Sequence, residues 1–228
     1  MKVSYLITAS TEIDTLGRLL ALVCSEVYCI TRKPVDEVVI LLDSSAKDNQ
    51  KTLEILRPYQ DLVVTHPLNN NYGAHKNFGV EQCKGQYVFQ IDGDELPPET
   101  LLGENLDELL DSNPDVEAYA VPRINDFRGV TVEHANQWGW QLTTSAKFKR
   151  PIVNFPDPQW RIFKRDPRIR FKGRLHEKIE GFNSYTHLPA SEEYALYHDK
   201  TIETQIKTNL RYNQMFTQAE NMGLRGTV

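Results

Sequence analysis

"GQYVFQIDGDELPPET", residues 85–100, runs from a glycine through an apolar stretch into three carboxylates within four residues. Tyr87, Val88, Phe89 and Ile91 favour a strand, which Asp92-Gly93-Asp94-Glu95 brings to an end. Acidic side chains this close repel one another, so positive charge is expected among them. Two carboxylates at positions i and i+2 suit a hard divalent cation such as Mg2+ or Mn2+, which keeps several waters and shares its shell with phosphate oxygens. A local use is the alternative: Asp-Gly is a common turn pair, and Asp can cap a helix starting near Pro97.

Upstream, strand and helix patterns alternate. "KVSYLIT" is a β-rich apolar run. A helix is expected from about Glu12, with Thr11 as N-cap and Leu16, Leu19, Leu20, Val23 and Val27 on one face. "DEVVILLD" and "DLVVTHP" read as the second and third strands, "DNQKTLEILRPY" and "GAHKNFGVEQCK" as the helices between them, and "GQYVFQID" as the fourth strand. Such alternation predicts an α/β fold with a mostly parallel, Rossmann-like sheet flanked by helices. Ligands of these sheets bind at the carboxyl ends of the strands, where Asp43 and Asp92 fall.

Downstream, "PPETLLGENLDELLDSN" reads as one helix and "VEAYAVPRIND" as one strand. Residues 135–158 read as loop. "WRIFKRDPRIRFKGRLHEKI" alternates on both sides of Asp166-Pro167 and predicts a hairpin there, followed by a helix from Thr201 to about Met222. With no repeat, low-complexity tract or linker, one domain spanning residues 1–228 is expected, its alternating half at 1–96 differing in pattern from its second half at 97–228.

Composition is that of a globular chain, 40% hydrophobic and 25% charged. No apolar run is long enough for a transmembrane segment. Three cysteines without a CxxC pattern suggest a reduced, cytoplasmic setting. The net charge of -5 argues against a nucleic-acid coat protein, yet residues 147–174 hold ten Lys or Arg against two acids, which suggests either an anionic ligand or a solvated basic face.

A haloacid-dehalogenase-like phosphatase would carry its acidic motif after the first strand, and a two-metal nuclease needs more scattered acids. The remaining motifs favour a third class, because the chain resembles glycosyltransferase family 2, of GT-A fold. "TASTEIDTLGRLL" matches the family's P-T-Y-N-E-x-x-x-L-x-x-L-L, with Thr8 and Ala9 replacing Pro-Thr. Leu42-Asp43-Ser44-Ser45 keeps one Asp of D-D-G-S, "NYGAHKNFG" carries Lys76 for the family's Arg, and "GQYVFQIDGDE" is similar to G-x-Y-x-x-x-L-D-x-D-[DE]. "GRLHE" (173–177) and the later His198 resemble the lipopolysaccharide-core β-glucosyltransferase-like branch.

The resemblance implies inverting transfer from a nucleoside-diphosphate sugar, UDP-linked by expectation, with Mn2+ or Mg2+ as cofactor. It assigns Asp94 as metal ligand, Asp92 to the ribose or a metal-bound water, and His198 to the metal or diphosphate. Glu177 becomes the base, with His176 orienting it or the acceptor, and Asp157 is the competing base. Thr8, Ala9, Ser10 and Glu12 line the nucleoside pocket, and Asp43 selects the nucleobase. Gly73, Lys76, Gly93 and Arg174 fall on the donor side, and Arg161, Arg170 and Arg174 are candidate counter-charges for a diphosphate or an anionic acceptor. Trp138 and Trp140 are candidates to stack on the acceptor, with plain packing as the other use. The implied acceptor is a saccharide or glycolipid, and the enzyme can then act peripherally at a membrane. Rival readings are transfer to a hydroxylated DNA base, which the basic aromatic segment would suit, and a catalytically idle glycan-binding module.

Overall fold

The computed structural model describes residues 2–11, 14–28, 36–47, 49–145 and 149–217. The first half forms β1 (Val3–Ala9), α1 (Leu16–Tyr28), β2 (Glu37–Asp43), α2 (Gln50–Leu56), β3 (Val63–His66), α3 (Tyr72–Gln82), β4 (Tyr87–Asp92) and β5 (Glu95–Leu96). Next come α4 (Gly103–Asp111), β6 (Ala118–Val121), β7 (Arg123–Arg128), α5 (Val132–Trp138), β8 (Leu142–Thr144) and β9 (Pro151–Val153). The chain continues with β10 (Gln159–Lys164), β11 (Arg170–Lys172), β12 (Lys178–Glu180), β13 (Tyr185–His187), β14 (Leu196–Thr201) and α6 (Ile202–Met215).

The main sheet has the order β13-β6-β10-β4-β1-β2-β3. β1, β2, β3 and β4 run parallel, and β10 is antiparallel to both β4 and β6. Continuous apolar runs buried on both faces are what a parallel sheet demands, and β1 and β4 supply them. Leu16, Leu19, Leu20 and Val23 of α1 are buried against one face, together with Leu106 and Leu110 of α4. Val80, Cys83, Phe171 and Ile179 cover the other, where they meet Phe163 of β10. A second sheet, β5-β14-β7-β9-β8, lies beyond the carboxyl edge of β4.

Several expectations from the sequence are corrected. α1 starts at Leu16, so Thr11 is not its N-cap, and Glu12 lies outside the described residues. The stretch 97–113 divides into a 3-10 turn (Glu99–Leu101) and α4. "VEAYAVPRIND" is two strands in two sheets, because Pro122 lacks the N–H that a continuing ladder needs. Residues 135–158 contain α5, β8 and β9 rather than loop. The hairpin is β11–β12, turning at 173–177 and not at Asp166-Pro167. Arg161, Ile162 and Phe163 are buried in succession, so β10 belongs inside the main sheet, whereas β11 and β12 each bury one residue and cover it. The helix expected over Thr201 to about Met222 is α6, Ile202–Met215, with Thr201 as its N-cap and extended backbone at Phe216 ending it short of Met222. No described helix is long and apolar enough to cross a membrane. Cys24 and Cys83 are free thiols.

Candidate active site at the carboxyl edge of the main sheet

Parallel pairing of β1 with β4 sets Thr8 opposite Asp92. Thr8 Oγ1 donates to Asp92 Oδ1 at 2.9 Å, and Gly93 N donates to Thr8 O at 2.8 Å, so the strand end and its turn are held together. β14 pairs antiparallel with β5, placing His198 opposite Glu95. His198 Nε2 then lies 3.2 Å from Asp94 Oδ2, and Lys200 Nζ lies 3.2 Å from the same oxygen. Burial would raise the Asp94 carboxyl, but His198 and Lys200 outweigh it and hold it far below the usual carboxylate range.

The His198 ring is oriented from behind. Asn125 Nδ2 donates to Val153 O and to Asp157 Oδ2, which fixes its amide oxygen toward His198 Nδ1 at 2.9 Å. With Nδ1 turned to Asn125, Nε2 is the ring atom that faces the Asp94 carboxylate. A carboxylate and an imidazole nitrogen are both metal-ligand groups, so Asp94 and His198 fit a divalent metal that draws its other ligands from water and a diphosphate. No cluster of three or more metal-ligating side chains occurs among the described residues.

Asp92 meets different company. Its Oδ1 takes Lys76 Nζ at 2.9 Å and Gln90 Nε2 at 2.8 Å, and its Oδ2 takes Arg161 at 2.6 Å. Both oxygens are thus already engaged by this chain's own donors. Arg161 also reaches Gln90 and Glu95, and Arg123 bridges Glu95 to Asp157. Glu95 is fully buried, and Arg161 and Lys76 are each 5% exposed. Burial alone would raise Asp92 and lower Arg161; their mutual attraction reverses both shifts. The positive charge expected among the acids is therefore Lys76 and Arg161, at sequence separations that no local pattern displays.

Lys76 also holds Glu177 Oε1 at 2.7 Å. The turn that carries Glu177 starts at Gly173 (φ 102) and passes through His176 (φ 53), two left-handed residues. It docks on α3: Tyr72 N donates to Arg174 O and Gly73 N to Gly173 O, and a Cβ at Gly73 would stand 2.4 Å from Gly173 O. Asn77 clamps the backbone of Phe171 in both directions at 2.9 Å. The His176 ring lies edge-on to Tyr212 of α6, and Arg174 lies over the Phe216 ring.

Asp43, buried at the end of β2, accepts Ser45 N, Ser45 Oγ and Leu68 N on Oδ1. His75 lies nearby, its Nδ1 3.2 Å from His66 Nδ1. Burial pushes the His75 imidazole down to about 4.

Of the residues singled out from sequence, Thr8, Gly93, Asp92, Asp94, Lys76, Glu177 and His198 converge, with Gly73 at the docking point. Ala9 is buried and Ser10 half-buried at the end of β1. Asp43 sits at the same sheet edge, beyond β1. Arg174 and His176 point toward the end of α6. Asp157 is bound by Arg123 and Asn125 and steadies the network. Sequence reasoning missed Gln90, Glu95, Arg123, Asn125 and Lys200. Glu95 stood in the quoted acidic cluster, and Lys200 follows His198 by one strand period.

A mostly parallel sheet with carboxylates at its carboxyl edge and a second sheet closing over them is the GT-A class of fold. The chain belongs to glycosyl transferase family 2, whose description matches residues 4–170. Over 118 residues it is 29% identical to the poly(ribitol-phosphate) beta-N-acetylglucosaminyltransferase TarP of Staphylococcus aureus (strain N315), covering 50% of this chain and 35% of that protein. Among solved structures it is similar to S. aureus TarS 1-349 in complex with UDP-GlcNAc, with a TM-score of 0.57, 18% identity, and coverage of 88% of this chain and 59% of that one. The complex of TarS 1-349 with UDP gives a TM-score of 0.54 at 15% identity, covering 100% of this chain and 76% of that one. The chain thus spans about a third of TarP and more than half of the first TarS chain.

Proposed function

We propose that this chain carries the catalytic centre of a metal-dependent, inverting glycosyltransferase. It moves a sugar from a UDP-sugar to a hydroxyl of a saccharide or polyol-phosphate acceptor, free or lipid-linked, in the cytoplasm or at the membrane surface. The observation that carries this reading is the convergence of Asp94 and His198, 104 residues apart, on one point beside the end of β4.

Asp94 and His198 would hold a divalent cation, which would supply Lewis acidity for the departing diphosphate. The other roles fall to the chain. Lys76 and Lys200 supply positive charge at the sheet edge where the diphosphate arrives. Thr8 and Gln90 hold Asp92 by Oδ1, which leaves Oδ2, beside Arg161, as the oxygen for the ribose. Glu177, at the docked turn, takes the proton of the acceptor hydroxyl. Lys76 is shared between Asp92 and Glu177, so a diphosphate that attracts Lys76 frees Glu177 for its proton. Asp157 is the weaker candidate for the base, because Arg123 and Asn125 hold it.

TarP supports a polyol-phosphate acceptor, and the branch resemblance based on "GRLHE" and His198 supports a saccharide. Transfer to DNA is disfavoured: Arg150, Arg161 and Arg168 of the basic segment pair with this chain's own carboxylates. The test is calorimetric titration of UDP, with GDP and dTDP as controls, with and without Mn2+. UDP is expected to bind in a metal-dependent way, and Asp94→Ala to lose that dependence. If no nucleoside diphosphate binds with metal present, the proposal fails.

A further inference from the structure

We infer that Trp138 and Trp140 form an acceptor subsite for the pyranose ring of an uncharged saccharide unit, an inference that rests on the glycosyl-transfer reading above.

The two indoles are held by a small, separately capped element. At the start of α5, the Thr131 side chain accepts from His134 N, and His134 Nδ1 lies 3.2 Å from Thr131 N, forming a capping box. At its end, Gly139 adopts the left-handed conformation (φ 66), and Trp140 N donates to Ala135 O at 2.8 Å. That turn folds Trp140 back beside Trp138, with ring centroids 4.6 Å apart.

A line of rings connects this pair to the reaction centre. Trp140 packs on Phe127 at 5.4 Å, and Phe127 meets His198 edge-to-face at 5.6 Å. His198 is the residue that faces Asp94. On the outer side, Trp138 stacks on His134.

Simple packing would place such large rings in a core, yet among the described residues neither indole is a member of the three apolar clusters, and both keep part of their surface exposed. The ionisable groups of α5 are Glu133 and His134, with no Lys or Arg on the helix. Exposed Asn136 and Gln137 add neutral hydrogen-bonding groups. Aromatic faces fringed by amides, on a helix without Lys or Arg, suit the C–H face and hydroxyls of a neutral sugar; a phosphate would need positive charge on the helix itself.

The experiment is saturation-transfer NMR with cellobiose, maltose and N,N′-diacetylchitobiose as probes, in the presence of UDP and Mn2+. The wild-type chain is expected to saturate ring protons of at least one probe. Trp138→Ala should weaken that binding about tenfold, the upper worth of an aromatic contact, and Trp138→Phe should retain most of it. Trp140 supports Phe127, so Trp138 is the cleaner position. Wild-type chain that binds UDP but none of the probes overturns the inference, as does equal probe affinity in wild type and Trp138→Ala. Failure to bind UDP would instead strike the donor-site reading.

Discussion

The first half of the chain and the second build their sheets in different ways. β1, β2 and β3 lie side by side in chain order with β4 on the other flank of β1, all four parallel and joined by helices that cover the sheet. In the second half, β10 slots between β4 and β6, and β14 pairs with β5 and β7, more than a hundred residues from β5 in the first case. The consequence for the site is a division of labour. The first half supplies Asp92, Asp94, Glu95 and one cation, Lys76; the second supplies Arg161, Arg123, His198 and Lys200. Each half alone would leave buried like charges unneutralised, which is costly in a low-dielectric interior.

The largest expected effect comes from cutting the link between the halves. Arg161→Met leaves Asp92 and Glu95 without their shared cation, and Glu95 is fully buried. Loss of one partner of such a network costs about 3–5 kcal/mol, to be read as a drop in the urea midpoint. An unchanged midpoint would mean that the two halves do not depend on this charge.

A smaller effect tests the first half by itself. The His66–His75 contact is internal to it, and burial holds His75 at about 4. The unfolded chain protonates His75 near 6.5, so between those values it binds more protons than the folded chain does. Stability should therefore fall as pH drops from about 6.5 to 4, by roughly 3 kcal/mol at most for this residue. His75→Gln should flatten that part of the pH–stability curve; a profile identical to wild type would rule out the buried neutral imidazole.

The smallest effect probes the docking of the Glu177 turn on α3. Gly73→Ala brings a methyl to within 2.4 Å of Gly173 O and has to push the turn outward. A stability loss of about 1–3 kcal/mol is expected for such overpacking. Donor turnover should fall by more than that stability loss explains, since Glu177 moves with the turn. Unaltered turnover would separate Glu177 from the chemistry.

Much of the donor side was legible. Asp92 and Asp94 could be placed because the strand ends announce themselves: an apolar run closes in acids, and parallel pairing brings those ends to one edge; Lys76, on α3, was placed by the family resemblance alone. The GRLHE stretch was found, yet its partner strand was assigned to the wrong neighbour, because β10 and β11 share an alternating pattern and only burial on both faces separates them. Pro122 was visible but its effect was not, since a proline marks a break without saying which sheet receives each side.

By itself, then, the sequence determined the alternating α/β half, its carboxyl edge and the acids placed there, all of which follow from local periodicity and turn chemistry. Only the tertiary structure decided which cation neutralises which carboxylate. Asp92 and Asp94, two residues apart, end in separate environments: one is enclosed by Lys76 and Arg161, the other faces His198 and Lys200. Ion pairing depends on distance in space, and a strand inserted from far along the chain sets that distance without leaving any periodic trace in the residues between.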